Sequence, residues 1–470
     1  MTRDIHGRCR RIVAASIRPW MWALLLVAGA ALTAMWWRVA DRDTAPTGIV
    51  IVTLDTIRVD RLSAYGFMNG SQPHLDRLAR DGVVFDQALS VAPLTLPAHS
   101  SLFTGLFPPA HGVRDNAGPP LQPVNETLAE LLRARGFRTG AFTGSIVLGA
   151  DRGLAQGFEH YSVPVEAATD GGTRPAFQRR ADAVVTDAID WLDGVAGSPF
   201  FLWAHLYDPH RPYDPPEPYR SRYSDPYLGE IAFADDQIGR LLDALRQRRL
   251  LPRTLVVVAG DHGESLGDHG ERDHGIFVYE NVLRVPLIIS GPAIPPARVS
   301  AVARLVDVMP TVLNLLGLPD PRADGVSLVG MMKGGRDLDL DVYAESLYPQ
   351  RLGWAPLRTL RRGRFKLIDA PRPELYDLVR DPFEKRNIHG DEPTVTAALT
   401  KRLTHLAGSR VAKPEVNEVD AELRERVSAL GYVAATRLPA GREQWPDPKD
   451  CIATLYLNGS ANAASRGCDR

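Results

Sequence analysis

The sequence predicts an α/β fold: a layered domain with a mostly parallel central sheet between helices, followed by a small antiparallel C-terminal subdomain. Three observations lead there. Short β-branched runs end in polar clusters, helical segments separate them, and from about residue 340 the pattern shortens to strand-like pieces. GIVIVTLD (48–55) leaves no room for a polar face, as in a strand buried on both sides, and it ends on an aspartate. TLVVVAGDHGE (254–264) repeats the design, a valine-rich run followed by Gly260 and a polar cluster. Ligands of open α/β sheets collect beyond the carboxyl ends of the strands, so Asp55 and the pair Asp261 and His262 are expected to meet there. Between these runs, Ile231, Ile238, Leu241, Leu242 and Leu245 fall on one helical face and predict a helix covering the sheet. RLVDVMPTVLNLLG (304–317) predicts another, stopped at Gly317. TLRRGRFKLID, with a glycine at a turn, and ELYDLVRDPFEKRNI then supply the strands of the C-terminal subdomain. No fixed-period repeat is evident, and residues 438–470 give no pattern.

A chain of 470 residues exceeds one ordinary core, which is why a large domain with an appendage is expected. The predicted boundaries are a basic tail (1–18), an apolar span (19–37), a linker (38–47), a catalytic domain (48–335), the C-terminal subdomain (336–435) and a tail (436–470). Hydrophobic content of 44% with 24% charge argues against disorder. A net charge of −1, with both signs spread along the chain, lacks the basic footprint of a nucleic-acid binder. The three cysteines, Cys9, Cys451 and Cys468, lie away from every motif, which excludes cysteine chemistry. Cys451 and Cys468 can pair in an oxidising compartment or remain two free thiols.

Residues 19–37, PWMWALLLVAGAALTAMWW, carry no charge and are just long enough to cross a hydrocarbon core. Trp20, Trp22, Trp36 and Trp37 flank the run, and five arginines precede it, which predicts a single anchor with the catalytic body on the outer side. A cleaved signal peptide, leaving a secreted protein, is the alternative. The sequence carries no signal for oligomeric state.

The chemistry concentrates in TLPAHSSLFTG (95–105), continued by LFPPAHGVRDN to Asn116. T-x-P-x-H-x-x-L-x-T-G resembles the sulfatase signature C/S-x-P-S-R-x-x-L-x-T-G, with Thr95 at the nucleophile position. HGVRDN is similar to the nucleotide pyrophosphatase/phosphodiesterase relatives. TLDTIRVDRLSAYG, QPHLDRLARDGVVF, GDHGESLGDHG, LRVPLIISGP and ELYDLVRDPFEKRNI match in order, so the resemblance runs from residue 48 to about 390. It implies a sulfatase-like member of the alkaline phosphatase superfamily, with that superfamily's central sheet and small C-terminal sheet.

Thr95 departs from the pattern. Sulfatases oxidise a Cys or Ser there to formylglycine; a threonine would give a ketone, so no formylglycine is expected and the hydroxyl must act itself. A free hydroxyl is a poor nucleophile at neutral pH unless a metal lowers its pKa. A simple helix cap is the plain alternative for Thr95. The resemblance implies Asp55, Thr95, Asp261 and His262 as metal ligands. Thr56 and His262 stand where sulfatases usually have a second aspartate and often an asparagine, so zinc or manganese is expected rather than calcium.

His210 and His274 resemble positions that hold nonbridging oxygens or assist the leaving group; with Asp208 they can instead complete a second metal site. Asn116 matches an asparagine that donates to a phosphoryl oxygen in the phosphodiesterase relatives. His99 replaces the signature arginine, which removes support for sulfate chemistry in particular. His74, His111 and His269 are expected to be structural, and Arg58 to pair with Asp60. The expected activity is hydrolysis of a phosphoester, a diester above all, on a small-molecule, glycan or lipid substrate. A literal sulfatase, an envelope phosphoethanolamine or phosphoglycerol transferase, and a non-catalytic anion binder are the alternatives.

Overall fold

The computed structural model describes residues 46–163, 178–195, 197–319, 323–408 and 445–457. The apolar span 19–37, Cys9 and Cys468 lie outside them. Among the described residues, no helix is long and apolar enough to cross a membrane.

The large sheet has nine strands: β1 (Gly48–Leu54), β2 (Val83–Leu89), β3 (Arg138–Thr143), β4 (His160–Ser162), β5 (Phe200–Leu206), β6 (Thr254–Gly260), β7 (Arg284–Val285), β8 (Leu287–Ser290) and β9 (Ala297–Arg304). Their order is β4-β3-β5-β1-β6-β8-β2-β7, with β9 beside β2. The strands from β4 through β6 run parallel; β8 and β7 are antiparallel to their neighbours. Both sequence runs singled out for burial, β1 and β6, lie side by side at the centre. β1 is buried at all seven positions because each face meets a helical layer. Ile49 and Ile51 join the core under helix α2, whereas Val50, Val52 and Leu54 join the opposite core. Each such aliphatic side chain contributes roughly 1.5–3 kcal/mol when fully buried.

The helices that matter to the site are α1 (Pro73–Asp81), α2 (Thr95–Thr104), α3 (Ala181–Asp193), α4 (Pro226–Gln247), α5 (Val308–Leu315), α6 (Pro393–Gly408) and α7 (Pro448–Leu457). α4 starts at Pro226 behind an Asp225 cap, whose carboxylate accepts from Tyr227 N–H at 3.0 Å, and its Ile231, Ile238, Leu241 and Leu245 are buried as predicted. The predicted helix 304–317 is shorter: a 3₁₀ turn at Leu305–Asp307 precedes α5, and Gly317 adopts a left-handed φ of 66° just beyond it. Asp307 is the reason for the late start, because its carboxylate turns back to the backbone N–H and the guanidinium of Arg304.

The C-terminal subdomain is a four-stranded antiparallel sheet, β10 (Val342–Ser346), β11 (Leu357–Arg362), β12 (Phe365–Asp369) and β13 (Glu374–Asp377). Residues 445–457, which gave no pattern in the sequence, return to it: Ala355 N–H donates to Pro446 O at 2.9 Å and Arg372 N–H to Asp447 at 3.0 Å. Cys451 is buried there and disulfide-bonded; Cys468 lies outside the described residues.

One buried ion cluster ties this sheet to the loop behind the site. Lys366 Nζ lies 2.8 Å from Glu384 and 3.1 Å from Glu280, with its side chain 1% exposed. Burial lifts Glu384 to about 7, and Lys366 offsets that only in part because Glu280 shares its charge. Lys366→Met leaves Glu384 buried without its cation beside Glu280, which keeps Arg361 at 2.7 Å, and we expect a loss of about 3–5 kcal/mol in urea unfolding. A loss below about 1 kcal/mol would show that the cluster reorganises freely.

Candidate active site

Two strand ends and one helix start converge. Asp55 follows β1 and Asp261 follows β6, and neighbouring strands fix both backbones: Asp261 N–H donates to Leu54 O of β1 at 3.1 Å and Asp55 N–H to Leu206 O of β5 at 3.0 Å. Asp261 Oδ1 accepts from His262 N–H at 2.7 Å and Thr56 N–H at 3.3 Å, so only Oδ2 remains open. Thr56 has φ +49°, a conformation that costs a β-branched residue roughly 1–3 kcal/mol. Its surroundings hold it there: its hydroxyl donates to Pro209 O, and its own carbonyl accepts from Tyr227 Oη at 2.7 Å.

Thr95 is the first residue of α2, facing this floor. Leu94, extended, is the N-cap and makes no side-chain capping bond. Asn116 takes that job, its Oδ1 accepting from Leu96 N–H at 2.9 Å, so Thr95 is not the cap and its hydroxyl is left for other use. Thr95 Oγ1 lies 3.4 Å from His262 Nε2. His262 Nδ1 lies 3.0 Å from Gly263 O, which can only accept, so Nδ1 carries the proton and Nε2 turns a lone pair toward the site. That nitrogen is 3.6 Å from Asp55 Oδ1 and 3.7 Å from Asp261 Oδ2.

The carboxylates of this cluster are only partly compensated. Asp55 Oδ1 and Oδ2 and Asp261 Oδ2 are buried without hydrogen-bond partners among the described residues. Burial, opposed by His274 and reinforced by Glu264, pushes Asp55 up to about 8. Burial and the adjacent Asp55 push Asp261 well above the usual carboxylate range, and burial followed by His274 pushes His262 well below the usual imidazole range. Two carboxylates and a neutral imidazole with ligand atoms within 4.8 Å of one another suit a divalent cation, and three of the four predicted ligands, Asp55, Asp261 and His262, form one of the groups with that spacing.

His274 and His210 stand beside it. The His274 ring lies 4.5 Å from that of His262, and the His210 ring 5.1 Å from that of His274. Burial disfavours the imidazolium of His274, but Glu264, with Oε1 3.1 Å from its Nδ1, together with Asp55 and Asp273 outweighs burial and lifts it to about 9. His210 is the opposite case: burial and the neighbouring His274 charge hold it well below the ordinary value, its Nδ1 donates to Arg211 O at 2.7 Å, and its ring stacks on Tyr207. Asn116 Nδ2 is buried with no partner among the described residues, so its two N–H groups are available to a ligand. Asp208 is drawn elsewhere, its Oδ2 accepting from Ala181 N–H at the start of α3 at 2.8 Å. Among the described residues, no group with metal-ligand spacing contains Asp208 or His210.

Three residues the sequence reading missed shape the site. Glu264 is fully buried, sets the charge of His274 and also accepts from Tyr213 Oη at 2.9 Å. His205 on β5 places Nε2 3.3 Å from Asp55 Oδ2. Thr53 on β1 joins His205 to His99, which lies 2.8 Å from Thr95 O. Arg58 pairs with Asp60 as expected, and it does more: it donates to the carbonyls of Glu264 and Ser265 at 3.1 Å each, which fixes the loop carrying Glu264. His111 and His269 sit in structural contacts, with Ser101 and on the Tyr279 ring; His74 lies against Asp236.

The sulfatase family model matches residues 47–318, more than half of the chain and the whole of the floor just described. The chain belongs to the sulfatase family. The model of the C-terminal region of N-sulphoglucosamine sulphohydrolase matches residues 267–409. The chain is similar to the choline-sulfatase of Rhizobium meliloti, 27% identical over 74% of this chain and 86% of that protein. It is also similar to an ulvan-active sulfatase of Formosa agariphila, 27% identical over 83% of each. In fold it is similar to the phosphonate monoester hydrolase of Agrobacterium radiobacter, with a TM-score of 0.68 and 23% identity over 79% of this chain and 97% of that one. This sulfatase-family chain is therefore an ester hydrolase on a mixed α/β scaffold, with a residue group whose spacing suits a metal ion.

Proposed function

We propose that this sulfatase-family protein hydrolyses a phosphoester, a diester above all, with the unmodified hydroxyl of Thr95 as nucleophile. The observation that carries the reading is the position of that hydroxyl, uncommitted to capping and 3.4 Å from His262 Nε2, over three orphaned carboxylate oxygens. Asp55, Asp261 and His262 would hold a divalent cation, zinc or manganese by the donor set, which would supply the positive charge that makes such a hydroxyl nucleophilic. Thr95 Oγ1, its proton given up to solvent, attacks phosphorus in line with the departing oxygen; the P–O bond to that oxygen breaks, and Thr95 carries the remaining phosphoester until water releases it. Asn116 Nδ2 donates to a nonbridging oxygen, and the positive end of α2 favours the added negative charge. His274, protonated below about 9, steadies another oxygen or gives its proton to the leaving group. His99 supports phosphate over sulfate: both its ring nitrogens are spent on Thr95 O and Thr53, so it offers the substrate no equivalent of the signature arginine.

Sulfate-ester hydrolysis is the second reading, favoured by relatives described as sulfatases. Turnover of bis-p-nitrophenyl phosphate and p-nitrophenyl sulfate with zinc or manganese separates the two, and a clear preference for the sulfate overturns the first. The substrate would be met outside the cell membrane, with residues 19–37 as anchor or as a cleaved signal.

The role of His274 has a pH signature. Its raised value means that the protonated form is present at neutral pH and is lost as pH climbs through about 9. We expect kcat/KM to fall on that alkaline limb, and His274→Gln to lower it roughly 10²- to 10⁴-fold at pH 7 and to flatten the limb. A His274→Gln profile that keeps the limb would assign it to another group.

A further inference from the structure

Beside the cation site runs a chain of hydrogen bonds whose direction can be worked out from donors and acceptors alone. It begins at Thr95 O, which can only accept. His99 Nδ1, 2.8 Å away, must therefore carry a proton. His99 is fully buried, and its nearest carboxylate oxygen, Asp261 Oδ2, is 3.8 Å from the nitrogen already committed to Thr95, so the ring is neutral and Nε2 is an acceptor. Nε2 lies 2.9 Å from Thr53 Oγ1, so Thr53 gives it its only proton. The two lone pairs of Thr53 then receive Trp203 Nε1–H at 3.0 Å and His205 Nδ1–H at 3.0 Å. Every group in the chain is satisfied, and His205 is left with its proton on Nδ1 and a bare lone pair on Nε2.

That lone pair is buried, has no hydrogen-bond partner among the described residues, and lies 3.3 Å from Asp55 Oδ2, itself orphaned. Two lone pairs at that distance in a dry site repel unless something positive is shared between them. Asp55 is thus bracketed by two imidazole nitrogens, His262 Nε2 near Oδ1 and His205 Nε2 near Oδ2. β-strand register makes this possible, since Thr53 and His205 are paired residues on parallel β1 and β5 and face the same side as Asp55.

We propose that His205 Nε2 is a further ligand of the cation site, so that two imidazoles and two carboxylates hold the ion. This rests on the cation reading given above. A donor set of two nitrogens and two carboxylates disfavours calcium and magnesium and favours zinc or cobalt. His99 and Thr53 become positioning residues that fix the His205 tautomer, in the way outer partners orient metal-bound histidines.

The test is zinc K-edge X-ray absorption on the zinc-loaded full chain, with zinc affinity measured by competition against a chelator. The parent is expected to show two imidazoles in the zinc shell. His205→Asn is the informative variant, because its amide can still reach Thr53 while no atom replaces Nε2; one imidazole and at least about tenfold weaker zinc binding are expected. Zinc bound by one imidazole in the parent, or a count unchanged in His205→Asn, overturns this inference and leaves the catalytic reading intact. A parent that binds no zinc or manganese sinks both. The parent count alone decides the matter should the variant not fold.

Discussion

Thr95→Ala protein turns over its ester substrate about 10⁴- to 10⁶-fold more slowly than the parent, the scale seen when a covalent nucleophile is removed. The structure says why this loss is chemical. Thr95 is buried at the start of α2, yet its side chain makes no capping bond, and among the described residues its hydroxyl has one hydrogen-bond partner, His262 at 3.4 Å. Asn116, not Thr95, satisfies the exposed N–H of Leu96. Removing the hydroxyl therefore costs the fold about 1 kcal/mol or less, and the melting temperature should scarcely move. Thr95→Ser keeps a hydroxyl in place and should retain activity within about tenfold when produced where no enzyme oxidises that serine. Kinetics and thermal melts on the same preparations check both halves; a Thr95→Ala protein with near-parental turnover would assign the attack to another group.

Asp55→Asn is expected to trade activity for metal-free stability. In chelated protein Asp55 is buried beside Asp261, His274 balances the pair only in part, and burial lifts Asp55 to about 8 from 3.8. A folded-state value above the unfolded one means that the folded chain binds the proton more tightly. The stability this gives is complete below about 4 and drains away as pH rises toward about 8. Chelated parent should therefore melt progressively lower between those limits, whereas chelated Asp55→Asn should melt higher than the parent at pH 8 and close to it at pH 4. A cation acts in the opposite sense, since its ligands must be deprotonated, so zinc should stabilise the parent more at pH 8 than at pH 6. Activity of Asp55→Asn should drop about 10³-fold, equivalent to the several kcal/mol that a catalytic metal contributes. Melting curves with and without chelator at the two pH values check the sign, and a chelated parent that gains stability with rising pH would contradict it.

Residues whose role follows from chain direction were legible in the sequence. Asp55 and Asp261 each terminate an apolar run that had to be a buried strand, and parallel strands deliver such ends to one edge. Thr95 stood out because its motif was specific and its side chain was the wrong one for formylglycine. His205 and Glu264 were hidden for different reasons. FFLWAHL reads as a strand core, and only pairing with β1 turns His205 toward Asp55. Glu264 sits in a polar cluster where loop solvation is the ordinary expectation; it is instead buried by the carbonyl-to-Arg58 contacts of its own loop. The second metal site weighed as an alternative for Asp208 and the histidines rested on D-x-H spacing alone, which said nothing about the helix start that takes one carboxylate oxygen of Asp208. Residues 445–457 looked featureless because their partners, Ala355 and Arg372, are far away in sequence.

The mass of the tryptic peptide Asp81–Arg114, from resting enzyme and from enzyme quenched in acid during turnover, tests the Thr95 nucleophile directly. Unmodified threonine at position 95 is expected in the resting protein, and a phosphoester adduct on Thr95 after the quench. A resting peptide lighter by two hydrogens, or an adduct found on any other residue, would contradict that role for Thr95.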